Sequence, residues 1–235
     1  MTEELFRADA YLKSCAAKVA AVRPDGIVLD RTVFYYESGG QPGDSGRLAR
    51  ADGATVGIAD TKRDRASGAI LHVPQAEAPA LADGDSVMAE IDWARRHRHM
   101  RMHTCLHLLC AVVPGQVTGG QIGDGKGRLD FAVDTGALDK AHIESELNRL
   151  IRADHAVTPR WISDAELAAA PDLVRTMSVK PPTGAGKVRL LDIPGVDLQP
   201  CGGTHVARTG EIGAVTVAKI ENKGKMNRRV VVQFA

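Results

Sequence analysis

Short apolar segments separated by Asp-Gly pairs and prolines dominate the first part of the chain. Apolar runs of this length, bounded by turn-forming residues, are typical of β-strands. Several short strands in succession favour a small barrel or sandwich. The strands predicted here cover residues 18–22, 26–29, 55–59, 70–73 and 87–91. We therefore expect a small N-terminal β-barrel-like domain at residues 1–92.

Helical periodicity replaces this pattern in the rest of the chain. Residues 92–113 form a predicted helix, for which Asp92 is a suitable N-cap and Pro114 a suitable stop. Residues 138–153 form the clearest amphipathic helix, because their apolar side chains fall on one stripe at helical spacing. The chain thus changes from strand-rich to helix-containing near residues 90–95.

Further strands and loops accompany these helices. Strands are predicted at residues 128–133, 157–162, 188–193, 214–221 and 229–234. A glycine-rich stretch at residues 115–127 and a second stretch at 194–203 are predicted to be loops, and a short helix begins at the capping box of Ser163 and Glu166. The pattern indicates an α+β fold, with an α/β two-layer domain of antiparallel sheet and helices at residues 93–235.

Composition and charge narrow the functional class. The 235 residues are 44% hydrophobic and 25% charged, as in ordinary globular proteins, and 4% aromatic, so the core must consist of aliphatic side chains. A net charge of +1 excludes a global polycation, so any contact with nucleic acid must come from local patches. No apolar run is long enough to span a membrane, and neither a signal peptide nor a protein partner is evident. The spacing of the four cysteines does not resemble a disulfide framework, so we expect a cytoplasmic protein.

Two histidine spacings far apart in the chain carry the clearest chemistry. His103 and His107 are four positions apart on a predicted helix, so both imidazoles share one face. Cys201 and His205 have the same separation, and the glycines between them let the backbone turn tightly. Imidazoles with one thiolate suit Zn²⁺ better than Mg²⁺ or Ca²⁺. The four residues together predict a zinc site.

The spacing leaves the role of this zinc open. Four protein ligands can close a tetrahedral site, as in structural zinc, whereas catalytic zinc keeps a position for water or substrate. Two features favour catalysis: the ligands come from distant parts of the chain, and the neighbouring stretches are predicted to be loops that can line a pocket. The motif is not that of a His-Glu-x-x-His peptidase, because Thr104 follows His103.

Three motifs resemble one known family. Residues 103–109, His-Thr-Cys-Leu-His-Leu-Leu, resemble the His-x-x-x-His helix of the alanyl-tRNA synthetase editing domain, and residues 201–205 resemble its Cys-x-x-x-His signature. Residues 127–131 resemble its Arg-Phe-Asp-Phe strand, with Leu129 in place of the first Phe. The sequence is also similar to the AlaX family, stand-alone proteins that deacylate mischarged tRNA. Its length and the glycine-rich residues 38–44 correspond to the medium form.

The resemblance implies a function and a site. It implies that His103, His107, Cys201 and His205 hold zinc and form the catalytic centre. It implies removal of serine from the alanine tRNA, with glycine as a second candidate. Serine differs from alanine by one hydroxyl. An aminoacylation site discriminates against such an analogue by only ~10²-fold, so a second site that hydrolyses the mischarged product is useful. Thr118 is a candidate to read this hydroxyl, and Gln121 is the next.

Contacts with RNA are expected from a glycine-containing triplet and from clusters of basic residues. Gly39, Gly40 and Gln41 are expected to place the tRNA end, although a purely structural β-loop is the alternative. Among the basic residues, Arg96 and Arg98 are the expected substrate contacts. The two basic clusters comprise Arg95, Arg96, His97, Arg98, His99 and Arg101, and Lys219, Lys223, Lys225, Arg228 and Arg229. Such binding should be modest and sensitive to salt.

Two competing functions remain open from the sequence. The first is a non-catalytic RNA-binding module with a structural zinc, which metal-dependent release of serine from tRNA would distinguish. The second is editing of another mischarged tRNA, since threonyl-tRNA synthetases carry a related editing domain. The Cys-Gly-Gly-Thr-His sequence at residues 201–205 and the N-terminal β domain favour the alanine branch.

Overall fold

The chain forms two compact units, which divide inside a long helix. The computed structural model describes residues 1–75, 81–133, 138–174, 186–224 and 226–235. The units comprise Met1–His97 and Arg98–Ala235, and the division falls within helix α1 (Trp93–Val112). The α+β class is confirmed. A functional boundary between residues 92 and 93 stays a prediction.

The first unit is built around a closed six-stranded barrel. The strands of this unit are β1 (Glu3–Glu4), β2 (Ser14–Arg23), β3 (Gly26–Leu29), β4 (Arg31–Thr32), β5 (Gly46–Arg50), β6 (Thr55–Arg63), β7 (Ile70–Pro74) and β8 (Ser86–Ile91). β1 and β4 pair with each other, and the other six form the barrel. The barrel closes in the order β2-β3-β7-β6-β5-β8, with antiparallel neighbours throughout. Inward residues alternate along the strands, as Val87, Ala89 and Ile91 do on β8. The predicted N-terminal barrel is therefore confirmed.

The second unit combines two antiparallel sheets with helices. Its remaining elements are β9 (Gln116–Ile122), β10 (Lys126–Ala132), α2 (Lys140–Arg152), β11 (Thr158–Ser163), α3 (Asp164–Ala169), β12 (Lys187–Ile193), β13 (Asp197–Pro200), β14 (Val215–Asn222) and β15 (Asn227–Phe234). One sheet has the order β14-β15-β10-β9 and the other β11-β12-β13. None of the helices in the described residues is both long and apolar enough to cross a membrane.

Both predicted loops beside the motifs contain strands, so the loop predictions are wrong. Residues 115–127 hold β9 and the start of β10, and residues 194–203 hold β13. Glycine in β9 leaves room for close packing, because a Cβ on Gly120 would lie 2.8 Å from a methyl carbon of Leu129. The site is thus framed by paired strands.

Local sequence signals fix the helices that support the sheets. The Asp139 carboxylate caps α2 by accepting from the backbone N–H groups of Ala141 and His142. Ile143 and Leu147 are among the buried residues of its apolar stripe. Ser163 and Glu166 form the predicted capping box at α3. The predicted apolar stripe of α2 and the predicted capping box are confirmed.

Candidate metal centre

Helix α1 and the segment after β13 bring the four motif residues together. The rings of His103 and His107 lie one turn apart on α1, with centroids 5.4 Å apart. The His205 ring lies 4.2 Å from that of His103 and 4.9 Å from that of His107. One potential ligand atom from each histidine and the Cys201 sulfur all lie within 4.8 Å of one another. This cluster can hold a metal ion.

The spacing of the donor atoms fits zinc. Cys201 Sγ lies 3.5 Å from His103 Nε2 and 3.2 Å from His205 Nε2. Zinc–sulfur and zinc–nitrogen bonds of ordinary length at a tetrahedral angle separate the two donor atoms by about 3.5 Å. The three histidines are buried, so solvent competes little for the ion. The donor set and its distances therefore suit Zn²⁺.

The protonation tendencies of the cluster also suit a cation. Burial opposes ionisation of the Cys201 thiol, but the charge of His103 and its hydrogen bond to the sulfur outweigh burial and hold the pKa of the thiol well below the ordinary value. Burial and the charge of His103 hold the pKa of His205 well below its ordinary value. Burial alone would lower the pKa of His107, yet hydrogen bonds to Asp197 and Cys201 raise it to about 10. A bound metal would therefore displace a proton from His107.

Two polar residues behind His107 were not identified from the sequence. The Asp197 Oδ2 atom lies 2.9 Å from His107 Nδ1 and 2.8 Å from Gln199 Nε2. Asp197 and Gln199 alternate within β13, so the strand directs both side chains to one side, and Cys201 follows directly after the end of the strand. The alternation of polar residues ahead of Cys201 is the sequence signal for these two side chains, and it has this meaning only because residues 197–200 form a strand where a loop is predicted.

Thr104 orients the second half of the site. Its hydroxyl donates to the carbonyl oxygen of Met100 at 2.9 Å, as helical threonines commonly do. Because that hydroxyl has one proton, it accepts from His205 Nδ1 at 3.3 Å and from the Val206 N–H at 3.2 Å. His205 consequently presents Nε2 to the cysteine sulfur. Thr104, which follows His103 in the sequence, thus holds the His205 ring in position.

A buried arginine holds the turn that carries Cys201. Arg189 Nη1 donates to the carbonyl oxygen of Cys201 at 2.8 Å and to that of Gly203 at 3.1 Å. Arg189 lies on β12, so the turn is tied to the three-stranded sheet. These contacts fix the backbone between Cys201 and His205, where glycines alone would leave it loose.

Both predicted hydroxyl readers lie on strand β9. Thr118 Oγ1 is 3.1 Å from the carbonyl oxygen of Asp130 and 3.0 Å from Asn227 Oδ1, and its single proton can serve one of them at a time. Gln121 is exposed, and its Oε1 accepts from Arg128 Nε at 3.4 Å. Their roles in reading a serine hydroxyl stay predictions.

The glycine triplet of the first unit forms a tight turn. The backbone N–H of Ser38 donates to the Gln41 carbonyl at 3.1 Å, and the reverse bond is 2.9 Å long. Gly39 and Gly40 have φ values of 57° and 82°, which favour glycine. Both are exposed, and their role in tRNA placement stays a prediction. Gln41 is fully buried, which contradicts its expected contact with substrate.

Arg96 is also buried, which contradicts its predicted contact with RNA. Its Nε donates to both carboxylate oxygens of Asp44 at 3.0 and 2.9 Å, and Nη2 donates to the Val33 carbonyl at 2.6 Å. Neither side chain of the pair has solvent exposure. Asp44 also accepts from the Tyr35 N–H at 2.7 Å. Arg96 therefore stabilises the first unit instead of facing a phosphate.

The other arginines of this cluster differ in their surroundings. The Arg98 side chain is 40% exposed and donates to Asp124 Oδ1 at 2.6 Å, and a phosphate contact by Arg98 stays a prediction. Arg101 lies over the Phe234 ring at 4.1 Å and donates to the Ile212 carbonyl. Arg101 therefore makes these contacts within the second unit.

The C-terminal basic cluster is largely paired within the second unit. Arg229 forms a two-pronged bond with Asp130 at 2.7 and 2.9 Å. Arg228 is buried and donates to the Gly224 carbonyl, and Lys219 pairs with Glu221 at 2.7 Å. Lys223 Nζ lies 3.5 Å from Glu221 Oε2, and the fifth predicted member, Lys225, lies outside the described residues. The described part of this cluster therefore offers less free positive charge than the sequence suggested.

A cleft of about 660 Å³ lies beside the turn between β12 and β13. Its lining includes Leu173, Gly195 and Asp197, and none of the four clustered ligand residues. The chemistry is therefore located by the side-chain cluster and not by this cleft.

Comparison with known proteins relates both units to tRNA synthetases. Residues 188–231 match the threonyl and alanyl tRNA synthetase second additional domain, and residues 6–95 match the class II (A) tRNA synthetases. The first of these regions contains Cys201 and His205.

Full-length relatives are similar over nearly the whole chain. The alanyl-tRNA editing protein AlaX-M of Methanosarcina acetivorans is 40% identical over 241 residues, with 98% of each chain covered. AlaX-M of Saccharolobus solfataricus is 33% identical over 234 residues, again with 98% of each chain covered. An alanine–tRNA ligase of Sulfurisphaera tokodaii is 37% identical over 229 residues, which cover 94% of this chain and 25% of the ligase.

Proposed function

Since the chain belongs to the AlaX family of alanyl-tRNA editing proteins, which are aminoacyl-tRNA hydrolases, we propose that it is a zinc-dependent enzyme that removes serine from the alanine tRNA. Glycine attached to the same tRNA is the second proposed substrate. The convergence of His103, His107, Cys201 and His205 carries the zinc assignment. The relatives that share nearly the whole chain support the choice of tRNA.

The proposed reaction is hydrolysis of the ester between the amino acid and the tRNA ribose. The water oxygen bonds to the ester carbonyl carbon, the bond from that carbon to the ribose oxygen breaks, and the ribose oxygen leaves as a hydroxyl with a proton that comes from the water. When bound, Zn²⁺ supplies Lewis-acid stabilisation of negative charge on an oxygen of the reacting ester or water. Thr104 orients His205 so that its ring keeps Nε2 toward the centre. Such fixed orientation avoids reorganisation during the reaction.

A second candidate function is a non-catalytic RNA-binding module with a structural zinc. The presence of four suitable side chains within one cluster favours it, because structural sites are usually closed by four protein ligands. Both candidates predict bound zinc. They differ in whether the ester is hydrolysed.

The deciding experiment measures deacylation of alanine tRNA charged with serine, glycine or alanine. We expect release of serine to exceed release of alanine, to stop after the metal is removed by a chelator, and to return with added Zn²⁺. Full zinc content without release of any amino acid would establish the binding module. Release of serine from threonine tRNA but not from alanine tRNA would assign the chain to another editing reaction.

Replacing Thr118 with valine tests the proposed reading of the serine hydroxyl. Valine keeps the shape and removes the hydroxyl, so we expect the preference for seryl- over alanyl-tRNA to fall by roughly tenfold, the value of one hydrogen bond. Zinc content should stay normal. The measurement is the ratio of kcat/KM for the two charged tRNAs. An unchanged ratio for Thr118→Val, with a reduced ratio for Gln121→Leu, would move the reading to Gln121.

A further inference from the structure

A carboxylate lies immediately behind one imidazole of the metal cluster. Asp197 is 5% exposed, and its Oδ2 atom is within hydrogen-bond distance of both His107 Nδ1 and Gln199 Nε2. Gln199 is equally buried. A buried carboxylate is costly unless hydrogen bonds or a nearby positive charge offset its desolvation. Its position therefore requires a physical reason.

The hydrogen-bond geometry assigns the protons. Gln199 Nε2 lies 2.9 Å from His107 Nδ1 and 2.8 Å from Asp197 Oδ2. An ionised carboxylate only accepts, so both nitrogens are satisfied if each donates a proton to Asp197. His107 is then protonated on Nδ1, which leaves the Nε2 lone pair for a metal. Gln199 Nε2 and His107 Nδ1 lie close to each other because both donate to the same oxygen, Asp197 Oδ2.

The charge of the centre gives the second reason. A zinc ion with one thiolate and three neutral imidazoles carries one net positive charge. Because the three histidines are buried, water screens this charge poorly. The carboxylate of Asp197 balances it through His107, without itself belonging to the four clustered ligands.

We propose that Asp197 is a positioning residue that fixes the tautomer of His107 and neutralises the charge of the metal centre. This inference rests on the proposed zinc site. It extends that site to a carboxylate–histidine pair of the kind that raises the basicity of a metal ligand.

The test compares the wild type with Asp197→Asn. Asparagine keeps the shape and a neutral oxygen that can still accept both hydrogen bonds, so it isolates the loss of charge. We expect 10- to 100-fold weaker Zn²⁺ binding in competition with a chromophoric chelator, because outer carboxylate partners commonly contribute that much to affinity. The visible absorption bands of the Co²⁺-substituted protein should shift, and zinc should raise the Tm of the variant less than that of the wild type.

Asp192→Asn is the matched control. Asp192 is on the neighbouring strand β12 and pairs with Arg160 at the surface, where the side chains are 18% and 58% exposed. Its substitution should leave Zn²⁺ affinity and the Co²⁺ spectrum unchanged. Wild-type affinity and spectrum in Asp197→Asn would overturn the inference and leave the zinc site intact. A wild type that takes up no zinc would instead overturn the proposed site itself.

A measurement on the wild type covers the case in which Asp197→Asn does not fold. In zinc-loaded protein labelled with ¹⁵N in histidine, NMR should show His107 protonated on Nδ1 and metal-bound through Nε2. A metal-bound or unprotonated Nδ1 would overturn the proposed role of Asp197, because the carboxylate would then have no proton to accept from His107.

Discussion

Cys201→Ser is expected to abolish both zinc retention and deacylation of seryl-tRNA. The serine hydroxyl is not ionised near neutral pH, whereas the pKa of the Cys201 thiol is held well below its ordinary value by neighbouring imidazoles. Loss of Lewis-acid stabilisation worth several kcal/mol corresponds to a rate decrease of about 10³-fold or more. The measurements are zinc content by elemental analysis and single-turnover deacylation.

Cys15→Ser is the matched control for this prediction. Cys15 is a half-buried thiol on β2 in the first unit, outside the metal cluster. Its substitution should leave one zinc per chain and full activity. Normal zinc content in Cys201→Ser would show that sulfur is not a ligand, and normal activity without zinc would show that the metal is not needed for hydrolysis.

Asp44→Ala is expected to lower the free energy of unfolding by about 3–5 kcal/mol. The substitution leaves the guanidinium of Arg96 buried without its carboxylate, and it removes the acceptor of the Tyr35 N–H. Neither side chain of the ion pair is exposed, so water cannot replace the lost bonds. Chemical denaturation of the full chain measures the change.

An exposed ion pair of the same barrel provides the comparison. Arg47 donates to Glu90 Oε2 at 2.7 Å, and the two side chains are 57% and 43% exposed. Glu90→Ala should cost at most about 1 kcal/mol, because solvent screens such pairs. Equal costs for Asp44→Ala and Glu90→Ala would contradict the structural role assigned to Arg96.

The four residues of the metal cluster could be predicted from the sequence because each half contains two candidate ligands only four positions apart. A helix brings His103 and His107 to one face through its own geometry, and the Cys201 sulfur and the His205 ring meet across a short turn. Only the meeting of the two halves required the fold. The residues behind the ligands were less accessible, since Asp197 and Gln199 resemble ordinary loop residues until β13 places them on one side.

Glycine and arginine residues account for the main differences between the predicted and the observed structure. Glycine usually indicates loops, yet in β9 and β10 it makes room for close packing, as at Gly127, where a Cβ would lie 2.8 Å from Met102 Cγ. An arginine in a basic run is usually exposed, and nothing near Arg96 in the sequence reveals a carboxylate partner 52 positions away. Long-range pairing of this kind is decided by the fold and leaves no local pattern.

The two halves of the metal centre are separated by most of the second unit in sequence, since Cys201 meets His103 across 98 positions. A nascent chain that has emerged only through α1 carries two imidazoles and no thiolate from this centre. It can therefore complete the chelate only after the segment following β13 has been synthesised. A metal ion bound there would act as a reversible crosslink that closes a long loop, and such closure removes conformational freedom from the unfolded chain. Availability of metal during synthesis would then influence how readily new chains reach the native state.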